Sequence, residues 1–127
     1  MTDLKILHPD GIPAPGGHYS PAVVAGDIVF LAGQTGGDPA TGILPDEFEV
    51  QVRQALTNFV AAVEGSGSSR ERVVKTLCFL ADSSTFGTFN EIYKEFFPEN
   101  PPARSTVGVS FPGNVLFEIE GVALLSK

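Results

Sequence analysis

The stretch Pro101–Leu125, PPARSTVGVSFPGNVLFEIEGVALL, contains two strand-forming segments on either side of a turn. Residues Ala103–Val109 are small or β-branched, and Val115–Leu125 is an apolar run interrupted only by two glutamates and a glycine. Both compositions favour β-strands. Between them, Phe111–Asn114 (FPGN) suits a type II turn, because proline fixes φ at about −65° and the following glycine supplies the positive φ. The stretch therefore predicts a β-hairpin.

Three charged residues interrupt this apolar hairpin, namely Arg104, Glu118 and Glu120. Strand alternation places the two glutamates on one face. A guanidinium matches the planar geometry of a carboxylate, and a glutamate in a partly dry cleft can act as a base. One interpretation is a site that binds an organic anion and activates a water molecule. The other is a solvated strand face, which is common in antiparallel sheets.

The hairpin register bears on how Arg104 and Glu118 could meet. A simple two-residue turn pairs residue 107 with residue 118, so that Arg104 and Glu118 point to opposite faces of the sheet. Either a β-bulge or a wider loop shifts the register, or the two groups come from different subunits. We predict that the site is completed between chains.

Length and charge limit the possible classes of protein. A chain of 127 residues favours one domain over residues 1–127. Eight Lys and Arg against 15 Asp and Glu give a net charge of −7, which disfavours a nucleic-acid partner. Cys78 is the only cysteine, which favours a reducing compartment. With neither the basic and apolar segments of a signal peptide nor a membrane-spanning run, the sequence predicts a soluble cytoplasmic protein without a membrane partner.

The remaining segments alternate between strand and helix patterns. They predict a strand at Leu4–Leu7, a hairpin of Ala22–Val24 and Ile28–Ala32, a helix capped by Asp46 and ending at Gly65, a buried strand at Arg72–Ala81, and a helix from about Ser84 to just before Pro98. This order indicates an α+β fold with a mixed sheet covered on one face by two helices. The last strand is apolar on both sides, so the uncovered face predicts self-association.

Other chemistry receives little support from the sequence. The loop Gly33–Leu44 is rich in glycine but lacks the Lys-Ser/Thr ending of a phosphate-binding loop, so we interpret it as a turn-forming segment. Cys78 falls within a buried strand and is interpreted as a core residue. His8 and His18 have no second ligand at metal-binding spacing, so neither a metal nor a cofactor is predicted.

Four segments together resemble the Rid family, the reactive intermediate deaminases, also known as YjgF or endoribonuclease L-PSP-like proteins. They are PPARSTVGV, FEIEGVAL, FNEIYKEFFPEN and HYSPAVVAGDIVFLAGQTGGDPATG, and the similarity covers nearly the whole chain. The resemblance implies a homotrimer of chorismate-mutase-like subunits with helices outside and clefts between neighbours. It also implies hydrolysis of enamines and imines such as 2-aminoacrylate, 2-iminopropanoate and 2-iminobutanoate to 2-oxo acids and ammonia.

The resemblance further implies roles for individual residues. Arg104 matches the arginine that pairs with the substrate carboxylate, and Glu118 matches the glutamate assigned to the hydrolytic water. The matching residues of the substrate cleft are Tyr19, Gly33, Asn90, Thr106 and Glu120. Thr106 stands where many members have cysteine, Ala32 replaces a common serine, and His18 and Pro21 also differ from the family pattern. These departures bear on which substrate is bound more than on which reaction is catalysed.

Two other functions remain open on the sequence. A non-catalytic trimer that binds small 2-imino or 2-oxo carboxylates would use the same Arg104. The other is a deaminase of a larger unsaturated amino acid, such as 2-aminomuconate or an aminoacrylate from pyrimidine breakdown. The ribonuclease name given to some relatives gains no support from so acidic a chain.

Overall fold

The computed structural model describes residues 3–126 as a six-stranded sheet with two α-helices on one face. In chain order the elements are β1 (Leu4–Leu7), β2 (Ala22–Ala25), β3 (Ile28–Gln34), α1 (Phe48–Gly65), β4 (Val73–Leu80), α2 (Phe86–Phe96), β5 (Ala103–Gly108) and β6 (Phe117–Leu124). The strand order across the sheet is β1-β2-β3-β6-β4-β5. Only β4 and β5 pair in parallel, so the sheet is mixed. The predicted α+β class and the β2–β3 hairpin are confirmed.

The predicted hairpin of β5 and β6 is wrong, because β4 lies between these two strands. Arg104 of β5 pairs with Thr76 on one side of β4, and Glu118 of β6 pairs with Phe79 on the other. The segment β4-α2-β5 is a crossover that brings β5 parallel to β4, as a helical connection permits and a short turn does not. The glycine of the predicted turn does have a positive φ of 65°, at Gly113, but it lies in the long connection from β5 to β6.

Helix α1 forms from an apolar stripe that repeats at helical spacing. Val52, Ala55, Phe59 and Val63 are all fully buried against the sheet. The helix ends at Gly65 as predicted, but its N-cap is Glu47 and not the predicted Asp46, and Glu47 makes no side-chain capping bond.

Helix α2 packs on the same face of the sheet as α1. Its Phe89 ring lies 5.1 Å from the ring of Phe117, and the Phe59 ring of α1 lies so close to β6 that a Cβ at Gly121 would be 2.7 Å from it. Both contacts are on the same side of β6, since residues 117 and 121 alternate with Glu118 and Glu120. The two glutamates therefore lie on the face without helices.

The face without helices, here called the open face, exposes apolar side chains in a single chain. Burial alternates residue by residue along β6, with the helix-facing positions buried and the open-face positions half-buried. Leu4, Ile6, Ile28, Phe30 and Val107 are exposed. This is the surface from which the sequence predicts self-association. In residues 3–126, no helix is both long and apolar enough to cross a membrane.

Candidate functional site

Arg104 projects from β5 toward α2, where aromatic rings surround its guanidinium. Its central carbon lies 4.7 Å from the ring centre of Tyr93, 5.1 Å from that of Phe89 and 5.6 Å from that of Phe86. One guanidinium nitrogen donates a hydrogen bond of 2.9 Å to the side-chain oxygen of Asn90. The rings attract the cation and fix its plane. A guanidinium has five N–H donors, so donors remain for a planar anion.

The residues beneath Arg104 are neutral at physiological pH. The Tyr93 hydroxyl shares a buried hydrogen bond of 2.8 Å with Thr76, and burial raises the pKa of Tyr93 to about 12. Burial also raises the pKa of the Cys78 thiol to about 12, so the thiol stays protonated and is a poor nucleophile. Of Arg104, Tyr93 and Cys78, only Arg104 is therefore charged.

A cavity of about 500 Å³ opens beside Arg104, between α2 and the segment before β5. Arg104, Lys94 and Asn90 contribute its polar groups, and Pro98 and Pro101 contribute to its apolar wall. None of the residues that line it is acidic. The cavity is electrostatically suited to a small anion.

A second cavity, of about 530 Å³, contains Glu118. Its walls also include the loop Pro13–Gly16, Tyr19 and the end of β3. The pairing of β3 with β6 shifts register between Leu31 and Gln34, and Gly33 lies within this irregular segment. A Cβ at Gly33 would overlap the Glu118 carboxylate, whose carbon would be only 2.7 Å away. Glycine at position 33 is thus what lets the carboxylate lie against the strand.

The environment of Glu118 makes its carboxylate a stronger base. Burial raises the pKa of this carboxyl, and the negative charge of Glu120 on the same strand face raises the pKa further. Arg104, which would lower the pKa if it were close, lies on the opposite face of the sheet. In residues 3–126, no group of three or more His, Cys, Asp or Glu is arranged to hold a metal ion.

The structure divides the predicted site residues into two groups. Tyr19, Gly33 and Glu118 line one cavity, whereas Asn90 and Arg104 line the other. Strand β4 separates the two groups within a chain, and they face opposite sides of the sheet. A site that uses both Arg104 and Glu118 cannot be assembled within one chain of this structure.

The two other predicted residues are less directly placed. Glu120 lies on the open face beside Glu118 but does not line the Glu118 cavity. Thr106 lies on the helix side of β5 with Arg104, and its hydroxyl oxygen is buried without a hydrogen-bond partner among the described residues. An enclosed hydroxyl is not accessible to a ligand, so only the backbone of Thr106 remains available for the predicted contact.

Sequence reasoning did not identify the aromatic surroundings of Arg104 or the Pro13–Gly16 wall of the Glu118 cavity. In the sequence, Phe86, Phe89 and Tyr93 recur at helical spacing, which by itself indicates only an aromatic stripe on one face of a helix. The role of Phe86 is visible only in the structure, where this residue is 42% exposed and its ring centre lies 5.6 Å from the central carbon of the Arg104 guanidinium. A ring left partly exposed beside a cation indicates that the stripe continues into the site.

The family described as Endoribonuclease L-PSP matches residues 11–125. The chain belongs to this family. Among its relatives, the 2-iminobutanoate/2-iminopropanoate deaminase of Dermatophagoides farinae is 39% identical over 98% of this chain and 99% of its own length. The crystal structure of RidA from the Antarctic bacterium Psychrobacter sp. superposes with a TM-score of 0.91 at 36% identity, covering 95% of this chain and 99% of that chain.

Another matching structure contains a bound ligand. Escherichia coli TdcF with bound serine superposes with a TM-score of 0.90 at 37% identity, covering 96% of this chain and 99% of that chain. These comparisons confirm the predicted Rid membership, and the names of relatives support deaminase activity as the general function in this part of the family.

Proposed function

We propose that this L-PSP family protein hydrolyses short 2-imino acids and their enamine tautomers to 2-oxo acids and ammonia. The substrates proposed are 2-aminoacrylate, 2-iminopropanoate and 2-iminobutanoate, and the site is a cleft between the subunits of a homotrimer. The observation that supports this most strongly is the division of the site. One chain has a cavity with Arg104, suited to an anion, and a separate cavity with the base Glu118. The first cavity lacks the base, and the second lacks the cation that would bind the substrate carboxylate.

The open face supports the proposed assembly. It exposes Ile28 and Phe30 on β3, next to the strand that holds Glu118, and Val107 on the edge strand β5. Strand β5, with Arg104, lies at the edge of the sheet. A head-to-tail arrangement brings the edge of one subunit against the open face of the next, and such an arrangement closes into a ring when the rotation permits. Each seam of the ring would then contain Arg104 from one chain and Glu118 from its neighbour.

The two side chains provide complementary steps of the reaction. Arg104 binds the substrate carboxylate with two parallel hydrogen bonds and orients the adjacent imine carbon. Glu118 accepts a proton from water as the water oxygen bonds to that carbon, and then donates this proton to the imine nitrogen, which gives a carbinolamine. Glu118 next accepts the hydroxyl proton and donates it to the departing nitrogen as the C–N bond breaks, so that ammonia is released with a 2-oxo acid. No cofactor takes part in this sequence.

The proposal is tested by generating 2-iminobutanoate in situ with an amino-acid oxidase and following its loss. We expect the wild type to exceed the uncatalysed rate, and Arg104→Ala and Glu118→Gln each to lose this acceleration, because orientation and proton transfer are removed separately. Light scattering on all three proteins checks that the trimer persists. If the wild type only equals the uncatalysed rate, the deaminase proposal fails for this substrate.

A second candidate function is binding of a small carboxylate without turnover. The observation that favours it is the serine bound to TdcF, a structural relative. Calorimetric titration with 2-oxobutanoate separates the two functions. Saturable binding that depends on Arg104, combined with no acceleration of imine loss, would favour the binding function.

A further inference from the structure

Helix α1 contains two amide side chains that are completely enclosed. Asn58 and Gln51 each have 0% of their surface exposed, although they lie on a helix whose other buried residues are apolar. A buried amide without partners costs free energy, so these positions are tolerated only where hydrogen bonds compensate. The partners of the two amides therefore indicate what the amides do.

Asn58 is bonded to the wall of the Glu118 cavity. Its side-chain NH₂ donates hydrogen bonds of 3.0 Å to the carbonyl of Thr35 and 2.9 Å to the carbonyl of Gly37, and both residues line that cavity. Its side-chain oxygen accepts a bond of 2.8 Å from Gln54, which fixes the orientation of the amide. Each polar atom of the Asn58 side chain thus has a partner, and two of the three bonds go to the cavity wall.

The segment between these two carbonyls rests directly on the helix backbone. A Cβ at Gly36 would lie 2.7 Å from the Cα of Gln51, so no side chain fits between the loop and α1. The loop is therefore held at a defined distance from the helix by close contact as well as by the hydrogen bonds of Asn58.

Gln51 holds the other end of the same loop and the chain that leads into β6. Its NH₂ donates bonds of 2.8 Å to the carbonyl of Pro45 and 2.9 Å to the carbonyl of Asn114. Its side-chain oxygen accepts a bond of 2.9 Å from the backbone N–H of Leu116, two residues before Glu118. One buried amide thus connects the glycine-rich loop to the strand that contains the proposed base.

We infer that Asn58 and Gln51 are positioning residues for Glu118. They do not touch the reacting atoms but set the distance between the loop over residues 35–45, the start of β6 and the carboxylate that lies against Gly33. The catalytic consequence rests on the proposed deaminase function. Displacement of a catalytic group by about 1 Å reduces rates by as much as about 100-fold, so loss of this support is expected to be visible in turnover.

The test compares Asn58→Leu and Gln51→Leu with Val63→Ala. Val63 is fully buried in the same helix but lines neither cavity, so its truncation destabilises the fold without changing the loop. Activity is measured on 2-iminobutanoate at a temperature at which circular dichroism shows each variant to be folded. We expect kcat to fall roughly 10- to 100-fold in both amide variants, with KM changed less than about threefold because Arg104 is untouched. Val63→Ala is expected to lower Tm but to retain kcat.

Equal loss of kcat in Val63→Ala, or full activity in both amide variants, would overturn the inference. If the leucine variants do not fold, Gln54→Met decides, because it removes only the bond that orients Asn58. A smaller fall in kcat is then expected, and an unchanged kcat overturns the inference. If the wild type proves inactive, the proposed function fails separately. A crystal structure of Asn58→Leu or Gln54→Met then decides, and loop residues 35–37 in an unchanged position would contradict the positioning role.

Discussion

At the scale of single residues, Gly33 determines whether Glu118 can occupy its position. The carboxylate fills the space that a side chain at residue 33 would take, and the atoms in conflict belong to the flexible end of Glu118 and not to the backbone. The strand can therefore accept a methyl group if the carboxylate moves away. A substitution at residue 33 can therefore change the position of the Glu118 carboxylate without disrupting the fold.

We predict that Gly33→Ala loses most of its deaminase activity while its thermal stability changes little. The loss is expected to approach that of Glu118→Gln, since both changes remove the base from its place. The matched control is Gly16→Ala, because Gly16 lines the same cavity but a Cβ there meets no atom within 4 Å. Rates and Tm for the two variants check the prediction. An active Gly33→Ala would show that the carboxylate position is not required.

The ionisation of Glu118 gives a second prediction at this scale, concerning pH. Burial raises the pKa of Glu118 and the Glu120 charge raises this pKa further, so the neutral form of Glu118 persists to higher pH than for an ordinary glutamate. Glu120→Gln removes that charge and lowers the pKa of Glu118. The acid limb of kcat/KM against pH is therefore expected to move to lower pH, so that relative activity near pH 5 increases.

The profile is measured between about pH 4 and pH 8, which spans the ordinary pKa of glutamate. Glu64→Gln serves as the control, since it removes one negative charge from the surface of α1, away from both cavities. A shift of the acid limb to higher pH, or an equal shift in both variants, would contradict the assigned cause.

At the scale of elements, strand β5 contains both a proposed site residue and a residue whose side chain is unfavourable for stability. Arg104 and Thr106 share its helix-facing side, but the Thr106 hydroxyl is buried and unpaired among the described residues. An unpaired buried hydroxyl costs about 1–3 kcal/mol. Valine has nearly the same shape without this cost.

We predict that Thr106→Val raises the free energy of unfolding by about 1 kcal/mol and leaves deaminase activity unchanged. Urea denaturation measures the first effect and the imine assay the second. Thr106→Ser, which keeps the hydroxyl and loses the methyl group, should be less stable than the wild type. A destabilised and inactive Thr106→Val would show that the hydroxyl has a partner in the working assembly.

The elements also show what could and could not be predicted from sequence. Helix α1 and strand β4 were predictable because apolar spacing and β-branched composition are local properties. The position of β4 between β5 and β6 was not predictable, because both β4 and β6 are apolar on two sides and this composition does not specify which strand lies beside β5. Alternation did predict that Glu118 and Glu120 share a face. The placement of Glu118 against Gly33 depends on a register shift that no local pattern specifies.

At the scale of the whole molecule, the sheet separates Arg104 from Glu118. The helices cover one face and stabilise Arg104 at an edge, while the opposite face exposes apolar residues around Glu118. Neither face of the sheet has both Arg104 and Glu118, the two groups proposed for imine hydrolysis. The account therefore depends on the claim that Arg104 of one subunit and Glu118 of the next face the same cleft.

Subunit mixing tests this claim most directly. Arg104→Ala and Glu118→Gln proteins, each inactive alone, are unfolded together, refolded at equal concentrations, and checked for mixed trimers by mass spectrometry. In a head-to-tail ring formed at random, roughly one seam in four would contain wild-type Arg104 and wild-type Glu118. We predict that the mixture recovers about a quarter of wild-type activity. Mixed trimers that remain as inactive as the separate variants would contradict the account.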